Sequence, residues 1–264
     1  MTIGFIGLGN MAKAIIGGIL NNAIVSEGSV IGYDRMPAAK NATIERYGIA
    51  MADSNPDVVQ RSDVVVLAVK PQVIGEVIEE IAPEVSEDTI FISIAPGKSI
   101  AWLTERFGKE VKIVRCMPNT PALVGEGMTG YCVSKSVTAE DKQIAEKILT
   151  SFGRAEEVNE ELMAAVTSVS GSSPAYVFIL IEAMADQAVA DGMTRAQAYK
   201  FAAQAVLGSA KMVLDTGRHP GELKDMVCSP AGTTIEAVKE LERGGFRAAV
   251  EDAMQACTER ALRI

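Results

Sequence analysis

The chain has one histidine, His219, and four cysteines, Cys116, Cys132, Cys228 and Cys257, none of them in a Cys-x-x-Cys pair. That excludes a zinc framework. In a chain of 264 residues a disulfide scaffold is not expected either. Basic residues are in deficit, 25 Lys and Arg against 34 Asp and Glu, a formal charge of −9. Nucleic acid and anionic membrane surfaces reward a basic face, so neither is an expected partner. A small anion is still admissible, because a local nest of amides opposes the global charge. No basic segment precedes the first apolar stretch, which glycines interrupt, so no secretory signal is expected. No apolar run approaches the roughly 20 residues of a bilayer span. The expectation is a soluble, cytoplasmic protein.

What is there in quantity is apolar residue, 48% of the chain with 22% charged, enough core for one large domain or two ordinary ones. Apolar runs alternate with helical spacing through the first part. Strands are expected at 3–6, 30–33, 63–69, 89–94 and 112–116, then at 128–133 and 155–158. Helices are expected at 11–20, from 37, at 71–81, 99–107 and 139–152. Thr138 would cap the last of these and Gly153 would stop it. Such alternation implies a parallel, doubly wound sheet.

From residue 159 strands disappear. Residues 174–191 are apolar nearly all round, so that helix must be covered on most sides. Thr194 and Gln197 form a capping box for a second long helix ending near Gly217. Helices at 220–228, 234–243 and from 246 follow, the last with Phe246, Val250, Met254, Cys257 and Ala261 on one stripe. The fold class is therefore α/β, a Rossmann-type sheet domain over 1–158 followed by an all-α domain over 159–264. Long helices so poor in charge suggest packing against a second copy.

Gly7-Leu-Gly9-Asn-Met-Ala12 is the G-x-G-x-x-A form of the dinucleotide fingerprint, between a strand and a helix. Gly7 makes the tight turn, Gly9 admits the pyrophosphate to the backbone, and Ala12 lets helix and strand pack closely. Asp34 closes the second strand, where a carboxylate would accept from the ribose 2′-hydroxyl of NAD. Arg35 beside it would instead hold the 2′-phosphate of NADP, or lie solvated. Both cofactors stay open. Lys70 follows an apolar strand at its carboxyl end, where open α/β sheets bind ligands. His219 precedes a proline and reads as a helix-entry residue rather than an acid.

Further segments complete the set: Ala68-Val-Lys-Pro71, Met117-Pro-Asn-Thr-Pro121, Ser170-Gly-Ser-Ser-Pro-Ala-Tyr176, His219-Pro-Gly-Glu-Leu-Lys-Asp225 and Ser229-Pro-Ala-Gly-Thr-Thr-Ile235. With them the chain resembles the pyrroline-5-carboxylate reductase family from end to end. The resemblance implies a Rossmann domain binding NADPH or NADH and a helical domain forming a homodimer, with higher assemblies such as a decamer in the family. It implies hydride transfer to the C=N carbon of 1-pyrroline-5-carboxylate, giving L-proline. Cofactor contacts are implied at Ile6, Gly7, Leu8, Gly9, Asn10 and Met11, at Asp34 and Arg35, and at Asn55. Further ones are implied at Ala68, Val69, Lys70 and Pro71, with Ala95 and Asn119 near the nicotinamide. The substrate carboxylate is expected on the amides of Thr233 and Thr234 and the Thr234 hydroxyl, with Gly232 permitting approach and Ser229 nearby. An ordinary Ser/Thr cap would have the same look. Thr167 is a candidate donor to the imine nitrogen, a role that water or a pre-protonated imine fills as well. Ser173, Ala231, Met226 and Pro96 depart from the family's usual residues. The rival reading, a β-hydroxyacid dehydrogenase, calls for a lysine in the helix after Ser170, and residues 170–180 contain none. A non-catalytic NAD(P) sensor is a further alternative.

Overall fold

The structure, a computed structural model, describes residues 1–263. They form two compact units, Met1–Ser172 with the chain from Cys257, and Ser173–Ala256. The first unit is built on eight strands: β1 (Ile3–Ile6), β2 (Val30–Tyr33), β3 (Ala50–Met51), β4 (Val64–Leu67), β5 (Ile90–Ser93), β6 (Lys112–Met117), β7 (Gly127–Val133) and β8 (Gly153–Glu157). Their order in the sheet is β3-β2-β1-β4-β5-β6-β7-β8. β1 to β6 are parallel, β7 runs antiparallel to β6, and β8 runs parallel to β7. The strand order reverses between β1 and β4, the place where such sheets open a crevice at their carboxyl ends.

Helices α1 (Asn10–Asn21), α2 (Pro37–Tyr47), α3 (Asn55–Gln60), α4 (Ile74–Ile81), α5 (Ile100–Phe107) and α6 (Ala139–Leu149) cover the sheet. Two apolar layers result. One gathers Phe5, Ile15, Ile16 and Ile19 with Tyr131 and Phe152; the other gathers Ile6, Val65, Leu67, Ile78, Phe91 and Leu103. The unbroken burial of β1, β4 and β5 is what Val- and Ile-rich runs predict for central parallel strands. A Cβ on Gly4 would lie 2.4 Å from Ser62 Oγ and 2.5 Å from Val58, so that glycine exists for close packing.

Several expected boundaries move. The helix after β4 starts at Ile74 rather than Pro71, because residues 71–73 form a turn in which the Val73 amide donates to the Lys70 carbonyl. Gly153 stops the helical stretch as expected, after the 3-10 turn Thr150–Phe152 that continues α6, and is also the first residue of β8, at φ +150°, where a Cβ would sit 2.0 Å from the Gly127 oxygen. The short β3 and α3 went unforeseen, as did the π-turn Thr167–Gly171 that follows α7 (Met163–Val166). The expectation that no stretch reaches spanning length is also corrected. The helical run Glu160–Ala190 is long and apolar enough to cross a membrane by length and composition, with only 11% of its window buried in the single chain.

The second unit is helical: α8 (Ser173–Ala190), α9 (Arg195–Thr216), α10 (Pro220–Val227), α11 (Thr233–Arg243) and most of α12 (Phe246–Ala261). α8 packs on α9 through small residues, with Ala185, Ala198 and Ala202 buried. Thr194 and Gln197 form the expected capping box. Much of what remains faces outward: Phe178, Ile179, Phe201 and Leu214 are each about 60% exposed, and Phe246 and Val250 of the α12 stripe are exposed too. The last turn of α12 belongs to the first unit. There Thr258 hydrogen-bonds Ser168, near the start of the π-turn, and Cys257 hydrogen-bonds Ser172, just past its end.

Candidate functional site

A cleft of about 610 Å³ opens at the carboxyl ends of β1, β2 and β4. Of the residues expected on a dinucleotide, Gly7, Gly9, Asn10, Met11, Asp34, Arg35, Asn55 and Ala68 to Pro71 line it. Gly7 turns the chain at φ +93°, its amide donating to the Tyr33 carbonyl, and a Cβ there would meet the Ala68 oxygen at 2.8 Å. A Cβ on Gly9 would meet nothing within 4 Å, since it would project into the cleft. Behind Gly9, α1 begins with no side-chain cap and no acidic residue in its first turn. Orphan amides with an open approach are the donor set that a pyrophosphate needs, so the residues fit a dinucleotide.

The remaining cofactor candidates act differently. Ile6 and Leu8 are fully buried and bring only backbone to the loop. The Leu8 amide donates to Asp34 Oδ2 at 2.8 Å, and the Met36 amide to Asp34 Oδ1 at 2.8 Å. Asp34 thus braces the glycine loop against the end of β2. Arg35 is exposed, and Lys40 lies 5.1 Å over the Tyr33 ring, so two cations flank that corner of the cleft. Asn55 is buried and donates from Nδ2 to Glu80 Oε2 at 2.8 Å. Asn119 is buried and uses both ends of its amide on the chain: Nδ2 donates to the Ser170 carbonyl, and Oδ1 accepts from the Met128 amide. It ties β7 to the π-turn. Ala95 is buried on a small void shared with Pro96, Arg115 and Thr167.

The sequence reading missed Tyr33, Met36, Val73, Val77 and Ile94 as lining residues, whereas Pro96, already singled out as a departure from the family's usual residue, lines the cleft too. Tyr33 and Met36 flank the Asp34-Arg35 pair and were within reach of the same argument. Val73 and Val77 were not, because nothing in residues 71–73 separates the turn that presents α4 from the first turn of a helix.

Acid–base candidates are sparse. Thr167 donates to the Met163 carbonyl at 2.8 Å and lines a cavity of about 280 Å³. His219 is exposed and caps α10, its Nδ1 accepting from the Gly221 amide. Burial pushes the Cys116 thiol well above its ordinary range, helped by Cys132. Burial, with the Glu160 charge behind it, raises Cys132 to about 11, so neither is a thiolate at neutral pH.

In the second unit, α11 starts at Thr233 behind Gly232, again with no side-chain cap. The Gly232 amide donates to the Ser229 carbonyl, and a Cβ on Gly232 would collide with Ser229 Oγ at 2.4 Å. Ala231 sits at φ +55°, a left-handed conformation that favours glycine. α3, α5, α6 and α9 are capped by Ser54, Ser99, Thr138 and Thr194, whereas α2, α4 and α7 start without a side-chain cap but have no glycine at the cap position.

Comparison with known proteins agrees with this geometry. Residues 160–264 match the family "Pyrroline-5-carboxylate reductase dimerisation", and residues 2–97 match "NADP oxidoreductase coenzyme F420-dependent". The chain is 52% identical to pyrroline-5-carboxylate reductase of Escherichia coli, over 99% of this chain and 97% of that protein. It is 43% identical to the Methanosarcina acetivorans enzyme of the same name, over 98% and 96%. Among solved structures, Plasmodium falciparum pyrroline carboxylate reductase with NADP bound superposes with a TM-score of 0.91 at 36% identity, covering 100% of this chain and 97% of that one. With a glycine-lined cleft at the switch point of the sheet and a dimerisation segment over its helical half, the chain belongs to the pyrroline-5-carboxylate reductase family.

Proposed function

We propose that this chain reduces 1-pyrroline-5-carboxylate to L-proline with a reduced nicotinamide dinucleotide. The observation that carries the reading is that two helices, α1 behind Gly9 and α11 behind Gly232, start directly after a glycine with no side-chain cap. Each offers main-chain N–H groups and the positive end of a helix to an anion. The first suits a pyrophosphate. The second, with the hydroxyls of Ser229 and Thr234 beside it, suits a small carboxylate. When bound, the dinucleotide supplies a hydride.

The rest falls to the chain's own groups. The amides of Thr233 and Thr234 and the Thr234 hydroxyl hold the substrate carboxylate, which fixes the ring so that its C=N carbon is presented for attack. As that carbon accepts the hydride, the C=N π pair moves to nitrogen and cancels the iminium charge. A substrate that arrives protonated needs no acid from the protein, in keeping with a histidine used as a helix cap and thiols held neutral. Thr167 commits its hydroxyl proton to the Met163 carbonyl, so its role is to orient the imine nitrogen as an acceptor rather than to protonate it.

We assign NADPH as the preferred cofactor, because Asp34 is engaged by two amides while the exposed Arg35, with Lys40 over the Tyr33 ring beside it, supplies positive charge for a 2′-phosphate. The homo-oligomer expected of the dimerisation segment starts from a dimer that covers α8 and α9, in a soluble, cytoplasmic enzyme. Oxidation of NADPH in the presence of 1-pyrroline-5-carboxylate tests the reading. Turnover that depends on the imine supports it, and absence of turnover with either nicotinamide overturns it.

A further inference from the structure

The turn from Ala95 to Ser99 leaves β5 at the carboxyl edge of the sheet, and Pro96 in it lines both the dinucleotide cleft and the neighbouring 280 Å³ cavity. Such a turn would be mobile: it contains Gly97 at φ +76° and carries no strand pairing of its own past Ile94. It is nevertheless held at three points. Lys98 stacks on Trp102 with its ammonium 4.9 Å from the ring, and Ser99 Oγ accepts from the Trp102 amide at 3.1 Å. The third hold comes from sixty residues away. The Ile100 amide, a first-turn donor of α5 with no intrahelical partner, donates to Glu160 Oε1 at 2.7 Å. The same oxygen accepts from Arg115 Nη1 at 2.8 Å, and the Arg115 side chain is only 14% exposed on β6.

One carboxylate oxygen therefore joins the start of α5, strand β6 and the segment leading into α7. None of the family's expected contacts includes it, and the hydride-transfer chemistry does not need its charge. Resting on the reductase reading, we propose that Glu160 is a positioning residue for the reaction: it fixes the Ala95–Ser99 turn so that Pro96 forms a rigid wall of the cleft. Its work is geometric. An acceptor of the right reach at this position suffices, and the negative charge itself is secondary. The carboxylate also favours the positive end of α5, and Arg115 balances it locally.

The test compares Glu160→Gln, Glu160→Asp and Glu160→Ala in the full-length protein. Gln keeps the acceptor at the same reach and loses the charge, whereas Asp keeps the charge and falls one carbon short. The expected order of kcat is wild type close to Gln, with Asp and Ala lower by about tenfold or more, the loss typical of ångström-scale misplacement. The dissociation constant for NADP+, read separately by calorimetry, stays within about threefold of wild type in Gln and rises in Asp and Ala, which release the wall. Hydrogen exchange at the Ile100 amide, which needs no turnover, rises in Asp and Ala but not in Gln. Should Ala fail to fold, the contrast between Asp and Gln carries the test. Retention in Asp with loss in Gln would show an ion pair only and overturn the proposal, as would equal losses in all three or unchanged kcat in Ala. An inactive wild-type protein would strike the reductase reading instead, leaving the exchange result to judge the clamp.

Discussion

At Gly9 the backbone is ordinary, φ −71°, and a side chain would find open space. At Gly7 it is not, with φ +93° and the Ala68 oxygen in the way. The two glycines therefore answer to different demands, and substitution separates them. Gly9→Val is expected to leave the thermal midpoint almost unchanged, within about 0.5 kcal/mol of stability, while abolishing NADP+ binding measured by calorimetry. A variant that loses stability and binding together would contradict the open cradle. At the neighbouring corner, Arg35→Ala is expected to raise KM for NADPH by about tenfold, the worth of one charge-assisted contact, and to leave KM for NADH alone. Equal effects on both nicotinamides would show that Arg35 reads no phosphate. The roles of Gly7 and Gly9 were legible in six residues, because a tight turn followed by a close backbone approach admits little else. The bracing role of Asp34 was not. Nothing in a sequence tells whether a carboxylate at a strand end faces a ribose or the amide of Leu8, 26 positions earlier.

Among the elements, α6 shows how a cap predicted from sequence acquires a pH dependence. Thr138 and Asp141 form a reciprocal capping box, and Lys112 from β6 reaches Asp141 at 3.1 Å. Burial alone would raise the Asp141 carboxyl. The Thr138 amide and hydroxyl and the Lys112 ammonium outweigh it and hold the group below its usual range. A carboxyl lowered on folding stabilises the fold above its unfolded value of about 4, and that contribution is lost as pH falls through the lower folded value. The thermal midpoint of the wild type should therefore drop more steeply below about pH 4 than that of Asp141→Asn, which starts lower at neutral pH. Parallel curves would remove Asp141 from the acid response. The cap was readable because its partners lie three residues apart. Lys112 was not, since it lies 29 residues away and is delivered by the strand order. β3 was missed for a similar reason: two residues have no periodicity, and only pairing with β2 makes them a strand. The π-turn at 167–171 has no sequence signature that separates it from an α-helix.

For the whole molecule, the question is what covers α8 and α9. Phe178, Ile179, Phe201, Leu207 and Leu214 expose more than half their surface in the single chain, an apolar exposure on two long helices that marks an interaction surface. The dimerisation family spans these helices, and a second copy is the partner they call for. Phe201→Glu places a charge on that face and is expected to convert the oligomer to monomer in sedimentation while the Rossmann unit keeps its dinucleotide affinity. A variant that remains oligomeric would place the interface elsewhere. The helices' apolar girth was plain from residues 174–191, and so was the inference of a covering partner. Their exposure was not, because composition alone does not distinguish a helix buried within one chain from a helix buried between two.

The most direct test of the account is a crystal structure with NADP+ and L-proline, or a close analogue, bound together. The account places the ligand's carboxylate oxygens within hydrogen-bond distance, about 3 Å, of the Thr233 and Thr234 amides. A carboxylate bound away from residues 229–234, with those amides facing only solvent, would contradict it.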